Sequence, residues 1–264
     1  MTGVRMVPLA DTHVHLLAGR DDGPRTADEA VAMCRMLVAE GARSATALAH
    51  QHPNFPDNTP NALRAAAASL ADALRAAGIP LAVYPSAEIL LNENLVADWQ
   101  AGRLLSLADR GKWLLVEMPG GQFIDLRPLA AALAPMGVRL VLAHAERYDP
   151  LLEDPALAEL FIAAGCLIQV TAGGLADPPP GHEPILKQWA KAGMIHLLGS
   201  DGHNLERRQP RLRAGFQVLA KWVGTSAAER IGGIWGSAVL QGLAVNVPPP
   251  RPPKKSWFTR LFRG

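Results

Sequence analysis

Seven short apolar runs punctuate the chain, at residues 7–10, 44–49, 81–84, 113–116, 138–143, 166–170 and 196–199. Too short for most helices and bounded by turn-forming residues, they predict strands buried on both faces. Between them the apolar positions recur at helical spacing. Thr26 and Glu29 make a capping box, after which Ala27, Ala30, Val31, Cys34, Leu37 and Val38 form one stripe that stops at Gly41. Thr59 and Pro60 open a second helix whose Leu63, Ala66, Ala67, Leu70, Leu74 and Ala77 share a face, with Gly78 as the stop. Further helices are predicted over 126–136, 155–164 (Asp154 as cap, Gly165 as stop), 183–192 and 211–223.

Strands alternating with helices imply right-handed crossovers and a parallel sheet. The expected fold is α/β, a distorted (β/α)7 barrel. A doubly wound open sheet is the alternative, but it concentrates its ligands at one switch point. Here six of the seven runs lead into a His, Asp or Glu: Asp11, His13 and His15; His50; Glu88; Glu117; His144; Asp201 and His203. Chemistry in closed β/α barrels collects at the C-terminal ends of the strands, so these side chains are expected to converge on a polynuclear metal site. His13 and His15, two apart on a strand, leave the same face and can grip one ion, and Asp201 with His203 repeats that geometry. Either pair alone is a weak signal; their joint placement carries the reading. Asp11 shares the face of His13 and could orient an imidazole or make a hydrogen bond at the strand start.

The 264 residues suit one barrel domain over 1–246 followed by a tail at 247–264. The tail holds Arg251, Lys254, Lys255, Arg260 and Arg263 without an acid, which exceeds the whole net charge of +2, so the body is mildly acidic. Nucleic-acid binding is not expected of such a body. Cys34 and Cys166 are too few for a disulfide framework, no signal-type apolar segment opens the chain, and no run approaches the roughly 20 residues of a membrane span. A cytoplasmic protein is expected. The tail's prolines predict an extended spacer. Beyond them Trp257, Phe258, Leu261 and Phe262 share a helical face, with Lys254, Lys255, Arg260 and Arg263 free for anionic headgroups. The tail reads as either a peripheral contact with the inner face of the membrane or a soluble unstructured end.

His13-x-His15, the Asp21-Asp22-Gly23 turn, His50, the segment 84–91 around Glu88, Leu115-Val-Glu117-Met-Pro, His144-Ala-Glu-Arg147-Tyr, Gln169-Val-Thr-Ala-Gly and Ser200-Asp-Gly-His203-Asn resemble, in combination, the polymerase and histidinol phosphatase superfamily. Within it they are most similar to the bacterial CpsB/CapC-type tyrosine-protein phosphatases of capsule and exopolysaccharide synthesis. The resemblance covers residues 11–243. It implies three divalent metal ions: one on His13, His15, Glu88 and Asp201, a second on the bridging Glu88 with Glu117 and His144, and a third on Asp22, His50 and His203. Arg147 and Arg208 fall on the family's phosphate-clamping arginines, with Arg207 a competitor for the second place. Ser86, Ala87, Ala145 and Gly174 depart from the family pattern without removing a ligand.

Four ligand carboxylates against three divalent ions leave net positive charge to attract a phosphate dianion. Metal ions also lower the pKa of bound water to about 7 and stabilise in-line displacement at phosphorus. Imidazole and carboxylate donors suit Mn, with Fe or Zn as alternatives. Cysteine-based phosphatase chemistry requires Arg six positions after the thiolate, where this chain has Glu40 after Cys34 and Ala172 after Cys166. The expected activity is hydrolysis of phosphotyrosine by a hydroxide at the metal site, with a bacterial tyrosine kinase of polysaccharide synthesis as the protein substrate. The alternatives are a small-molecule phosphomonoesterase of the histidinol-phosphatase type and a non-catalytic, metal-bound regulatory module. His52, His182 and His196 fit no ligand position.

Overall fold

The computed structural model describes residues 7–250. Seven parallel strands lie side by side in chain order: β1 (Leu9–Asp11), β2 (Ala42–Gln51), β3 (Ala82–Leu90), β4 (Trp113–Glu117), β5 (Arg139–Leu142), β6 (Leu167–Thr171) and β7 (Leu197–Gly199). The first and last meet. The Thr12 hydroxyl donates to Leu198 O at 3.0 Å, Asp201 N–H to His13 O at 2.7 Å and His15 N–H to Gly202 O at 3.0 Å. These bonds all but close the sheet into the expected distorted barrel and leave no room for an open sheet.

The period-two alternation of strand side chains explains how the barrel is both packed and functional. Inward positions form an apolar layer of Leu48, Leu115, Val141, Leu167 and Leu197, buried together with Val239 and Val245 at the floor. Two residues further along their strands, on the same face, stand His50, Glu117, Ala143, Gln169 and Gly199. Outward positions such as Ala47, Ala87, Ile89, Leu114, Val116, Leu140, Leu142, Ile168 and Leu198 pack under the helices. Thus His50, Glu117 and Gln169 stand directly above an apolar plug. Register keeps the ligands level, since His50 pairs with Glu88 and Leu90 with Glu117.

The helix Ala27–Glu40 is capped as anticipated by Thr26, which accepts from Glu29 N–H, and ends at left-handed Gly41. Thr59 caps Pro60–Ala76 in the same way. The helices Pro155–Ala163, His182–Ala192 and Arg213–Val223 also match expectation to within two residues at either end. Several features differ, among them the short helices Leu95–Gln100, Asp149–Glu153 and Ala172–Ala176, which the apolar spacing does not announce. The segment 126–136 divides into Arg127–Leu133 and a 3-10 turn, Ala134–Met136, where Pro135 has no N–H to continue the helix. The third strand runs from Ala82 through Glu88 to Leu90 rather than stopping at 84, because Pro85 and Ser86 interrupt its apolar pattern without ending it. A helical stretch from Thr225 to Leu240, with a π turn at Arg230–Ile234, was not foreseen. Its glycines suppress helix propensity by about 1 kcal/mol each. They admit β1 and the residue before it: a Cβ on Gly236 would stand 3.0 Å from the Cβ of Ala10, and one on Gly233 2.6 Å from Pro8 O. The basic-aromatic part of the tail, 251–264, lies outside the described residues.

Candidate metal centre

All nine side chains singled out as metal ligands come together at the C-terminal mouth of the barrel. Glu88 is the hub. Its Oε2 lies 3.1 Å from His13 Nε2, 3.2 Å from His15 Nε2 and 3.3 Å from His50 Nδ1, while Oε1 lies 2.9 Å from His144 Nε2. Glu117 reaches His50 Nδ1 at 3.3 Å and His144 Nε2 at 3.7 Å. Asp201 stands 3.4 Å from His13 Nε2. Asp22 lies 3.5 Å from His50 Nε2 and 3.3 Å from His203 Nε2. Ligand atoms gather in three overlapping groups: His13, His15 and Glu88; His50, Glu88 and Glu117; and His15, Asp22, His50 and His203. His50 therefore faces two groups, one with each ring nitrogen.

The donor atoms are poised for cations. His13 Nε2, His15 Nε2, His50 Nδ1 and His203 Nε2 are buried and have no hydrogen-bond partner of proper geometry. Buried polar atoms are ordinarily satisfied, so four orphaned imidazole nitrogens around shared carboxylates fit divalent ions.

The remaining ring nitrogens are tied down. His13 Nδ1 lies 2.9 Å from the Gln169 amide oxygen, and Gln169 in turn donates to Thr12 Oγ1 at 2.8 Å. His15 Nδ1 lies 2.7 Å from Asp21, which also accepts from His50 N–H at 2.9 Å. His203 Nδ1 bonds Asp201 O at 2.9 Å. Such partners select the tautomer that presents the other nitrogen to a metal. Sequence reasoning gave Gln169 and Asp21 no role. A polar amide inside an apolar strand and an acid at a ligand-bearing turn were the signals available. Asp11, by contrast, orients backbone: one oxygen accepts from His13 N–H at 3.1 Å and Ser200 N–H at 2.9 Å.

Backbone geometry aims the last ligands. His144 and Asp201 both take the left-handed conformation, with φ of 33° and 53°. That conformation is costly for a residue with a Cβ and is concentrated at functional sites. Gly199, at the end of β7, lets the first strand close in: a Cβ there would lie 2.5 Å from the Cβ of His13.

Burial and charge compete at this mouth. Burial disfavours a charged His13 or His15, but the carboxylates of Glu88 and Asp201 outweigh it for the first, and those of Asp21 and Glu88 lift the second to about 9. His50 likewise rises to about 11 against its burial, through Asp22, Glu117 and Glu88. Despite burial, Glu88 is held well below the usual carboxylate range by His13, and Asp201 is lowered by His13 and Arg147. Together these acids form a sink that a metal can fill by displacing protons.

Two arginines cover the site. Arg147 and Arg208 both bond Asp201 Oδ2, Arg208 at 2.8 Å, and Arg208 extends to Asp22 at 3.3 Å. Asn204 Oδ1 accepts the backbone N–H groups of both Arg207, at 2.9 Å, and Arg208, at 3.0 Å. All three arginines line a cavity of about 770 Å³ that opens beside Asp201. On the other side Phe55 stacks on His50, ring centroids 5.8 Å apart and planes 7° from parallel, at the edge of a cavity of about 490 Å³.

The other histidines stand apart from the ligand groups. His52 accepts from Asn54 N–H at 2.9 Å, and His196 accepts from Ile168 N–H at 2.9 Å below the ligand layer. Cys34 and Cys166 are buried, and burial pushes both thiols up to about 12, far from a nucleophile's range.

A parallel barrel whose mouth gathers imidazoles and carboxylates under arginines belongs to the class of barrel metallohydrolases. Within that class the particular lineage is clear. The chain is a member of the CpsB/CapC family of capsular polysaccharide synthesis, whose family model matches residues 9–241. It is 31% identical to the tyrosine-protein phosphatase YwqE of Bacillus subtilis over 82% of this chain and 86% of that protein. It is 22% identical to the tyrosine-protein phosphatase CpsB of Streptococcus pneumoniae, over 84% of this chain and 94% of the relative. Among solved structures, a chain from the work on YwqE and CpsB, described as unique metal-dependent tyrosine phosphatases, superposes with a TM-score of 0.85. It has 29% identity, covering 94% of this chain and 100% of that one.

Proposed function

We propose that this protein is a metal-dependent protein-tyrosine phosphatase. The observation that carries the reading is the quartet of buried, unpartnered imidazole nitrogens beneath two arginines, three of them, on His13, His15 and His50, converging on Glu88 and the fourth, on His203, facing Asp22. His13, His15, Glu88 and Asp201 would hold one divalent ion, Glu88, Glu117 and His144 a second, and Asp22, His50 and His203 a third. Mn is the leading candidate, with Fe and Zn as alternatives. When bound, such ions supply Lewis acidity and lower the pKa of water to about 7.

The chain's own residues account for binding and orientation. Asp201 Oδ2 holds Arg147 and Arg208 side by side, and their forked donors match phosphate oxygens. Gln169 and Asp21 fix the rings of His13 and His15, keeping their Nε2 atoms directed at the reacting centre. The phenolate of phosphotyrosine leaves with a pKa of about 10, so the site needs no strong general acid.

The proposed physiological substrate is a phosphotyrosine protein, a bacterial tyrosine kinase of polysaccharide synthesis, met in the cytoplasm near the membrane, with residues 251–264 contributing a peripheral lipid contact. Among the described residues no helix is long and apolar enough to cross a membrane. Metal analysis joined to a phosphotyrosyl-peptide assay, after chelation and add-back of Mn, Fe and Zn, tests the reading. Activity lost on chelation and restored by one of the three is expected. Turnover of histidinol phosphate at or above that of the peptide would favour a small-molecule phosphatase instead, and full metal occupancy without turnover a regulatory module.

A further inference from the structure

The end of the barrel opposite the metal centre has its own charge pattern. Lys112 immediately precedes β4 and Arg139 opens β5, whereas Glu117 closes β4 at the mouth. Along the strand this separates Lys112 from Glu117 by about 16 Å. The exposed Lys112 and Arg139 line a cavity of about 280 Å³ together with Leu243, which is 54% exposed. Arg110 flanks it, packed against Gly242. The acid beside Arg110 in sequence, Asp109, is occupied by both arms of Arg64 at 2.7 and 2.9 Å. Arg139 lies over the Trp113 ring, 5.7 Å from its centroid. Acids at this end, Glu40 and Glu229, accept backbone N–H groups of Arg213 and Val7.

The chain leaves the body at this same place. Val245 is buried in the barrel floor and Val247 packs against it. The sequence that follows adds Arg251, Lys254, Lys255, Arg260 and Arg263, with Trp257, Phe258, Leu261 and Phe262, and no acid.

We propose that the N-terminal end of the barrel, around Arg110, Lys112, Arg139 and Leu243, is a docking face for an anionic phospholipid bilayer, and that it turns the metal mouth away from the membrane. This deepens the tail contact proposed above, because a tail alone tethers without orienting. Cations on the rigid body, within the Debye length of about 8 Å from the same surface, fix which end faces the lipid. An exposed leucine amid the cations and aromatic residues in the sequence beyond match a bilayer, which offers apolar depth beneath anionic headgroups, better than a soluble phosphate.

Flotation of the full chain with vesicles of phosphatidylcholine alone, or with added phosphatidylglycerol, tests the face. Binding only to the anionic vesicles, weakened at least tenfold by Arg110→Glu with Lys112→Glu while the tail is intact, is expected. Both variant and parent should hydrolyse a phosphotyrosyl peptide equally in the absence of lipid, and far-UV circular dichroism reports folding independently of that activity. Binding untouched by the charge reversals but abolished by deleting residues 248–264 would overturn the docking face and leave only a tethering tail. Absent binding, or equal binding to neutral vesicles, would overturn it too. Orientation is read with an environment-sensitive fluorophore on Leu243→Cys or on Asp177→Cys, the native cysteines being buried. A blue shift at 243 and none at 177, which lines the mouth cavity, is expected; the reverse pattern overturns the orientation.

Discussion

The amide oxygen of Gln169 lies 2.9 Å from Nδ1 of His13, and the same amide donates to Thr12. With its nitrogen spent on Thr12, Gln169 has only an acceptor to offer, so His13 carries its proton on Nδ1 and presents Nε2 to the site. Gln169→Leu should therefore lower metal affinity by about 10- to 100-fold, the usual cost of losing an outer partner of a ligand. A chelator competition on folded protein measures it; unchanged affinity would show that the ring is held by packing alone.

Asp201 bonds the arginine pair and is proposed to hold a metal ion as well. Asp201→Ala should reduce turnover of a phosphotyrosyl peptide by at least about 10³-fold, as expected when one side chain supports both charge stabilisation and positioning. Bound metal per chain should fall as well. Retained turnover would remove Asp201 from the machinery.

The arginines separate by position. Arg208→Ala and Arg147→Ala should each raise KM and lower kcat/KM for phosphopeptide by about 100-fold, consistent with loss of a charge-assisted contact worth about 3 kcal/mol. Arg207→Ala, whose contact to Asn204 is through backbone, should change them less than threefold. Steady-state kinetics on the three variants decide the matter, and equal losses at 207 and 208 would contradict the assignment.

The raised imidazoles make metal binding pH-dependent. His13, His15 and His50 all sit above the ordinary value of 6.5, and His15, at about 9, and His50, at about 11, hold protons at pH 7 that a metal must displace. Affinity should rise from pH 7 to pH 9, and calorimetry in buffers of different ionisation enthalpy should register proton release. The metal-free protein should behave oppositely. Its raised histidines stabilise the fold fully below pH 6.5, and that contribution fades as pH climbs through about 9 and then about 11. A melting temperature for metal-free protein that increases over this range would refute the pairing.

Much of this architecture is legible in the sequence. Continuous apolar runs ending on His and carboxylate residues specify parallel strands that carry their chemistry at one end, and the family resemblance supplied the partition of ligands. What escaped depends on tertiary context. Pro85 and Ser86 hid the continuation of the third strand, and the glycines of the closing helix masked a segment whose purpose is intimate contact with β1. Gln169 and Asp21 gave only weak local signals as positioning groups, because their partners lie across the barrel or around a turn. The sequence left Arg207 and Arg208 nearly equivalent; both line the cavity beside Asp201, and it is the Arg208 guanidinium that reaches this carboxylate from the turn around Asn204.

The position of Glu88, touching His13, His15, His50 and His144 at once, couples the two proposed positions that share it, and His50 links them to the third. With this carboxylate engaged by an ion, the neighbouring rings would lose the charge that holds their protons. Occupancy should consequently advance as linked steps on a titration isotherm, and a preparation starved of metal should divide between empty and fully charged molecules more than a statistical mixture would.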